Sequence, residues 1–239
     1  MERLTVPAHL QRSVRKDPRL AHESARFLIA ELTRCSGRDS LDGVSVLDVG
    51  CGVKFSEALI NDRIPIGSYT GVDVEPSVID FLTSNVQDPR FSYHRVHFAN
   101  ARYNPDGEPM TRDSTLPVEG PFDVACGFSL FTHLDPQDSE SMLAILRRYA
   151  SESTRLVFTV FLDELSASGH GFVDEYARRF GQDIRSDEPY RDFAADDVLR
   201  VALYRRPLVM ELLERTGWRV LAVDDPTPFS QHLVTAVPA

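Results

Sequence analysis

No stretch of this chain reaches the ~18 consecutive apolar residues that a membrane span needs. The opening residues, Met1-Glu2-Arg3-Leu4-Thr5, hold no hydrophobic signal-peptide region. A soluble, cytoplasmic protein that engages no membrane is the expectation. Cysteine is scarce, and Cys35, Cys51 and Cys126 show no Cys-x-x-Cys spacing. Such a set supports neither a disulfide framework nor a structural zinc site, so no metal is expected. Basic charge is in deficit: 26 Lys and Arg face 36 Asp and Glu, a formal net charge of −10. Phosphate backbones bind to net basic surfaces, so nucleic acid is not expected as a main partner. Internal repeats and low-complexity tracts are absent. What remains is 239 residues with 42% hydrophobic content, enough for one domain with a sizeable core and a small cap.

The apolar pattern alternates between strand and helix. Residues 1–19 are polar and basic and read as a loose arm or short helix. Ala25, Leu28, Ile29 and Leu32 recur at helical spacing over Leu20–Cys35, and Gly37 supplies the stop. Strands are expected at Val44–Val49, Tyr69–Val74, Phe91–Phe98, Phe122–Gly127, Arg155–Leu162, Trp218–Val223 and Gln231–Val237. Helices are expected at Phe55–Asn61, from Pro76 onward, at Pro136–Ala150 and at Pro207–Thr216. Residues 103–121, rich in Pro, Gly, Asp and Asn, read as a loop. Strands alternating with helices give βαβ units, a mostly parallel sheet and a ligand site at its carboxyl rim. The expected divisions are an N-terminal arm and helix (1–40), a binding core (41–162), an insert (163–206) and a C-terminal return to the core sheet (207–239).

One stretch says most about chemistry. Val46-Leu47-Asp48-Val49-Gly50-Cys51-Gly52 is an apolar strand that ends in an acid and runs into Gly-x-Gly. About one βα unit later, Tyr69-Thr70-Gly71-Val72-Asp73-Val74-Glu75-Pro76 places a carboxylate at the next strand end. Bare backbone at Gly50, Cys51 and Gly52, and an acid at Asp73 beside Val74, fit a nucleoside whose ribose hydroxyls need an acceptor. The bland alternatives are a tight turn with no ligand and an acid that caps the Pro76 helix.

These two motifs, in this order, resemble motifs I and II of the class I S-adenosylmethionine (SAM)-dependent methyltransferases. The likeness extends roughly from Leu41 to the C-terminus. It implies an α/β, Rossmann-like, seven-stranded, mostly parallel sheet with an antiparallel last strand, flanked by helices, with SAM as cofactor. It places Asp48 near the methionyl ammonium, although a turn-capping role is equally open. It puts Asn100 or its neighbour Ala101 against adenine, with His97 as the rival under a shifted alignment and an Asx turn as the structural alternative. It sets Gly127 and Phe128 at the methionine end. Position 54, where relatives most often carry a third glycine, is Lys54 here. This lysine either reaches the methionyl carboxylate or points into solvent.

Two histidines are candidates for catalysis. His133, in Ser129-Leu130-Phe131-Thr132-His133-Leu134, is a general base or a residue that fixes the loop. His170 lies between glycines in the insert, as an acceptor contact or an exposed loop residue. Asp135 is expected to cap the following helix. The insert carries Phe172, Tyr176, Phe180, Tyr190, Phe193 and Tyr204. It is expected to form short helices at Val173–Phe180 and Ala194–Leu203 and to cap an acceptor, or else to serve as a dimerisation flap. The expected function is methyl transfer to an O or N atom of a small molecule. Gly127-Phe128-Ser129-Leu130 is not the Asp/Asn-Pro-Pro-aromatic signature of nucleic-acid amino-methyltransferases. The rivals are a nicotinamide-dependent oxidoreductase and a non-catalytic SAM-binding or interaction protein. Phe55, where a nicotinamide fingerprint wants glycine, weighs against the first. A homo-oligomer is neither required nor excluded.

Overall fold

The computed structural model describes residues 3–11, 18–100, 102–193, 200–226 and 230–239. Helix α1 (Pro18–Ser36) precedes β1 (Leu41–Val49), α2 (Lys54–Asn61), β2 (Ile66–Asp73), α3 (Pro76–Asn85) and β3 (Phe91–Arg95). Then come β4 (Phe122–Gly127), α4 (Pro136–Arg148) and β5 (Ala150–Leu162). The insert supplies α5 (Phe172–Phe180), β6 (Tyr190–Asp192) and β7 (Ala202–Tyr204). The chain closes with α6 (Arg206–Arg215), β8 (Trp218–Asp224) and β9 (His232–Pro238).

The core strands lie in the order β3-β2-β1-β4-β5-β9-β8. Strands β1 to β5 are parallel to their neighbours, and β9 runs antiparallel between β5 and β8. This is the expected seven-stranded sheet. Two further short strands extend it. Strand β7 pairs with the end of β5 through Phe161–Leu203 and Leu162–Tyr204, and β6 pairs with β7.

Both faces of the sheet are covered, as its nearly unbroken apolar strands require. On one side Ala25, Ile29 and Leu32 of α1, Ala58 and Leu59 of α2, and Val78 and Leu82 of α3 pack on Val44, Val46 and Tyr69. On the other, Leu143 and Leu146 of α4 and Leu212 and Leu213 of α6 pack on Leu47, Ala125 and Phe158. Trp218 is buried there, its indole N–H donating to the Leu143 carbonyl at 3.0 Å. Local signals set the helix ends. Asp135 accepts from the Asp138 N–H at 2.9 Å, and Pro136 follows it as the first residue of α4. Gly37 and Gly181 take the left-handed conformation just past α1 and α5.

Three expectations need correcting. The N-terminal arm is not loose where it is described: Ala8–Leu10 forms the short-helix alternative as a 3₁₀ turn, and Leu4, Val6 and Leu10 are buried in the core. Leu4 exchanges backbone bonds with the Asn61 side chain, at 2.8 and 2.9 Å. The Leu4-Thr5-Val6 alternation carried that signal beneath the basic residues. The second helix expected in the insert is also wrong at its end. Ala202–Tyr204 is a strand, because the exposed edge of β5 offers pairing there; Val198 and Leu199 lie outside the described residues. Finally, Tyr204 does not line an acceptor wall. It is buried, with its hydroxyl donating to the Leu134 carbonyl at 2.6 Å and 2.8 Å from the Ser139 hydroxyl.

Candidate functional site

The carboxyl ends of β1, β2 and β4 meet at one rim, and Gly50, Cys51, Gly52, Asp73, Gly127 and Phe128 gather there. Gly50 and Gly52 adopt φ of +72° and +50°, which a side chain would strain. The Gly50 and Cys51 N–H groups both donate to the Val72 carbonyl, at 2.8 and 3.1 Å. The Gly52 N–H donates to Asp73 Oδ2 at 3.0 Å, and the Glu75 N–H donates to Asp73 Oδ1 at 3.0 Å. Asp73 is buried, and its carboxylate is clamped between the glycine turn and the start of α3. A side chain added at Gly52 would meet nothing within 4 Å, so that face of the turn is open. At Gly50 it would lie 3.4 Å from Leu130, and at Gly127 3.3 Å from the same residue. Leu130 therefore closes the space between the ends of β1 and β4. Phe128 packs on Phe55, ring centroids 5.1 Å apart. Val74 is partly buried against the other face of the sheet.

Asp48 corrects the turn-capping alternative, since the turn's N–H groups go to Val72 and Asp73. The Tyr69 hydroxyl donates to Asp48 at 2.6 Å inside the core. Burial pushes the carboxyl up to about 6, against the pull of Tyr69 and Cys126. A raised folded-state value means that the native protein binds this proton more tightly than the unfolded chain. Stability from Asp48 alone therefore falls as pH rises from about 4 to about 6. Tyr69→Phe removes a donor to the ionised form. It should destabilise the fold by roughly 1–3 kcal/mol at pH 8 and by less at pH 5, where Asp48 is protonated. Chemical unfolding at the two pH values checks this; equal losses at both would remove Asp48 ionisation from the account.

Asn100 sits in an Asx turn. Its side-chain carbonyl accepts from the Arg102 and Tyr103 N–H groups, both at 3.0 Å, and these occupy its two lone pairs. Ala101 lies outside the described residues.

His133 ends a short 3₁₀ turn after β4. Its Nδ1 lies 2.6 Å from the Arg200 carbonyl. A carbonyl only accepts, so Nδ1 carries the proton and Nε2 is left basic. Burial holds this imidazole below its ordinary range, opposed by the Arg200 bond and assisted by the positive charge of Arg102. Arg200 itself is anchored by Asp135 at 2.6 Å and Asp192 at 3.2 Å. No sequence pattern points to Arg200, because a main-chain carbonyl makes the bond and the partners are 67 positions apart. His170 is exposed, and only its backbone N–H is engaged, with the Ser166 and Ser168 hydroxyls. Lys54, the first residue of α2, is half-buried.

Most insert aromatics pack on one another. Phe172 lies 4.6 Å from Phe161 of β5, and Tyr176 lies 4.9 Å from Phe193 and 4.5 Å from Phe180. Phe180 and Leu165, each 53% exposed, are the insert's outward-facing apolar residues among those described.

A profile described as "Methyltransferase domain" matches residues 20–223. The fold is similar to that of solved methyltransferases. One is the Burkholderia thailandensis 1,6-didemethyltoxoflavin-N1-methyltransferase, solved with 1,6-didemethyltoxoflavin and S-adenosylhomocysteine. Its TM-score is 0.59 at 20% identity, over 97% of this chain and 84% of that one. Another is the magnesium protoporphyrin IX methyltransferase of Synechocystis PCC 6803 with S-adenosylhomocysteine, with a TM-score of 0.58 at 16% identity over 96% and 89%. The mitomycin 7-O-methyltransferase gives 0.56 at 16% identity, over 94% of this chain and 59% of its own.

Proposed function

This chain belongs to the methyltransferase-domain family and is a methyltransferase; on that premise we propose that SAM is its donor and an O or N atom of a small molecule its acceptor. The observation that carries the donor reading is the junction of Asp73 with the glycine turn. A carboxylate oriented by two N–H groups stands beside a turn whose open face a side chain at Gly52 would obstruct. That donor set fits a nucleoside carrying a ribose diol.

Bound there, SAM supplies a methyl group already activated by a sulfonium leaving group. Asp73 accepts from the ribose hydroxyls. Gly50, Cys51 and Gly52 leave room for the chain linking ribose to sulfur. Gly127, Phe128 and Leu130 wall the methionine end, and Val74 backs the ribose side. The carbonyl of Asn100 is committed to its turn, so its amide NH₂ is what it offers adenine; Ala101 is its companion there. Asp48, tied to Tyr69, acts from beneath the turn. Holding donor and acceptor in line contributes ~7–11 kcal/mol, and His133 as base adds a further ~10²–10⁴-fold.

The solved methyltransferases that resemble this chain are named for small-molecule substrates, which supports the same class here. Residues 163–206 form the acceptor cap in this reading, since Arg200 of the insert touches His133 and Phe180 and Leu165 remain exposed. His170, exposed in the same insert, is a contact for the acceptor. A cytoplasmic setting suits three cysteines that are buried and not joined in disulfides. Among the described residues no helix is long and apolar enough to cross a membrane.

Calorimetry with SAM and with NAD tests the donor, and binding of SAM alone is expected. Binding of NAD in its place would transfer the site to nicotinamide chemistry. A panel of hydroxylated and amino-aromatic acceptors should then release S-adenosylhomocysteine. SAM binding with no turnover across the panel would favour a non-catalytic binder.

A further inference from the structure

Lys54 is placed two residues after Gly52, at the first position of α2. Its side chain is half-buried, and burial pulls the ammonium below the ordinary lysine range with no charged group among the described residues to offset it. Partial desolvation of a cation without a neighbouring anion is unfavourable, and an anion at the site would offset it. The start of α2 is unusual in the same direction. Val53, its N-cap, offers no side-chain acceptor, so the helix presents its positive end without a capping group. The neighbouring face at Gly52 is open. An ammonium with no charged partner among the described residues, an uncapped helix start and an open turn thus adjoin within a few residues. The first two favour a negative charge, and the third gives it room.

The donor carries a single anionic group, the carboxylate of its amino-acid end. We propose that Lys54 holds the methionyl carboxylate of SAM and makes the seat selective for donor and product that carry it. This rests on the SAM reading above. The ammonium of Lys54 donates to a carboxylate oxygen, and the first N–H groups of α2 lie behind it. Lys54 is a binding and positioning residue; it takes no part in the bond changes at sulfur.

The test is calorimetry on the full chain with SAM and with decarboxylated SAM. The wild-type protein should bind SAM at least about ten-fold more tightly, equivalent to ~1.4 kcal/mol. Lys54→Met should remove most of that gap by weakening SAM while leaving the decarboxylated compound nearly unchanged. Lys54→Arg should restore it. Affinity for SAM should also fall as pH rises through the lowered Lys54 value, while the decarboxylated ligand stays flat. If Lys54→Met folds poorly, Lys54→Gln, which keeps a polar stem, gives the same reading. Equal weakening of both ligands, or no preference in the wild type, overturns the proposal. Failure of the wild type to bind SAM at all would overturn the donor reading, and Lys54's role with it.

Discussion

Asp73→Ala should weaken SAM binding by roughly 1.5–3 kcal/mol, about 10- to 150-fold in dissociation constant. Hydrogen bonds to a charged acceptor lie in that range, and ribose presents two hydroxyls. The structure adds a second reason. The same carboxylate receives the Gly52 and Glu75 N–H groups, so its removal also unpins the turn. The two contributions separate with a 2′-deoxyribose analogue of S-adenosylhomocysteine. The wild type should prefer the parent compound, and Asp73→Ala should bind both alike. If the variant is folded and its affinity for SAM is unchanged within error, Asp73 is not on the ribose.

His133→Asn should lower the transfer rate by ~10²-fold or more with SAM affinity preserved. The base form is the neutral ring, so activity is lost as pH falls through the folded value. Burial sets that value below the ordinary 6.5, so the acid limb of the wild-type profile should lie below pH 6.5, with a plateau at neutral pH. The variant should lose the limb along with the rate. A loss under ten-fold, or one that follows a drop in thermal midpoint, makes His133 a loop-fixing residue.

The succession of strands and helices and the rim position of the glycine turn follow from features that repeat locally, whereas the strand order is implied by the family resemblance. Apolar strands, helix punctuation at Pro76 and Pro136, and the pairing of Gly-x-Gly with an acid one unit later all act over short sequence distances. Partners separated by long distances left no such trace. Tyr69 beneath Asp48 looked like an ordinary apolar strand residue, and its hydroxyl finds the acid only after β1 and β2 align. Asn100 was legible as either a ligand contact or a turn residue, because both use the same carbonyl; the backbone that follows it engages that carbonyl in a turn. The insert misled in one half because β-pairing at Ala202–Tyr204 depends on an edge that only the folded sheet supplies.

The bond from His133 to Arg200 has a consequence for how such an enzyme changes its acceptor. It is made by a main-chain carbonyl, which every residue possesses. With the insert as the proposed acceptor cap, its side chains can therefore be exchanged to suit a new molecule without rewriting the histidine's tautomer. Changes of length are another matter. Adding or deleting a residue between Arg200 and Ala202 should shift the carbonyl and turn the ring. Diversification of this enzyme should thus proceed by substitution in the insert and stall at insertions close to Arg200.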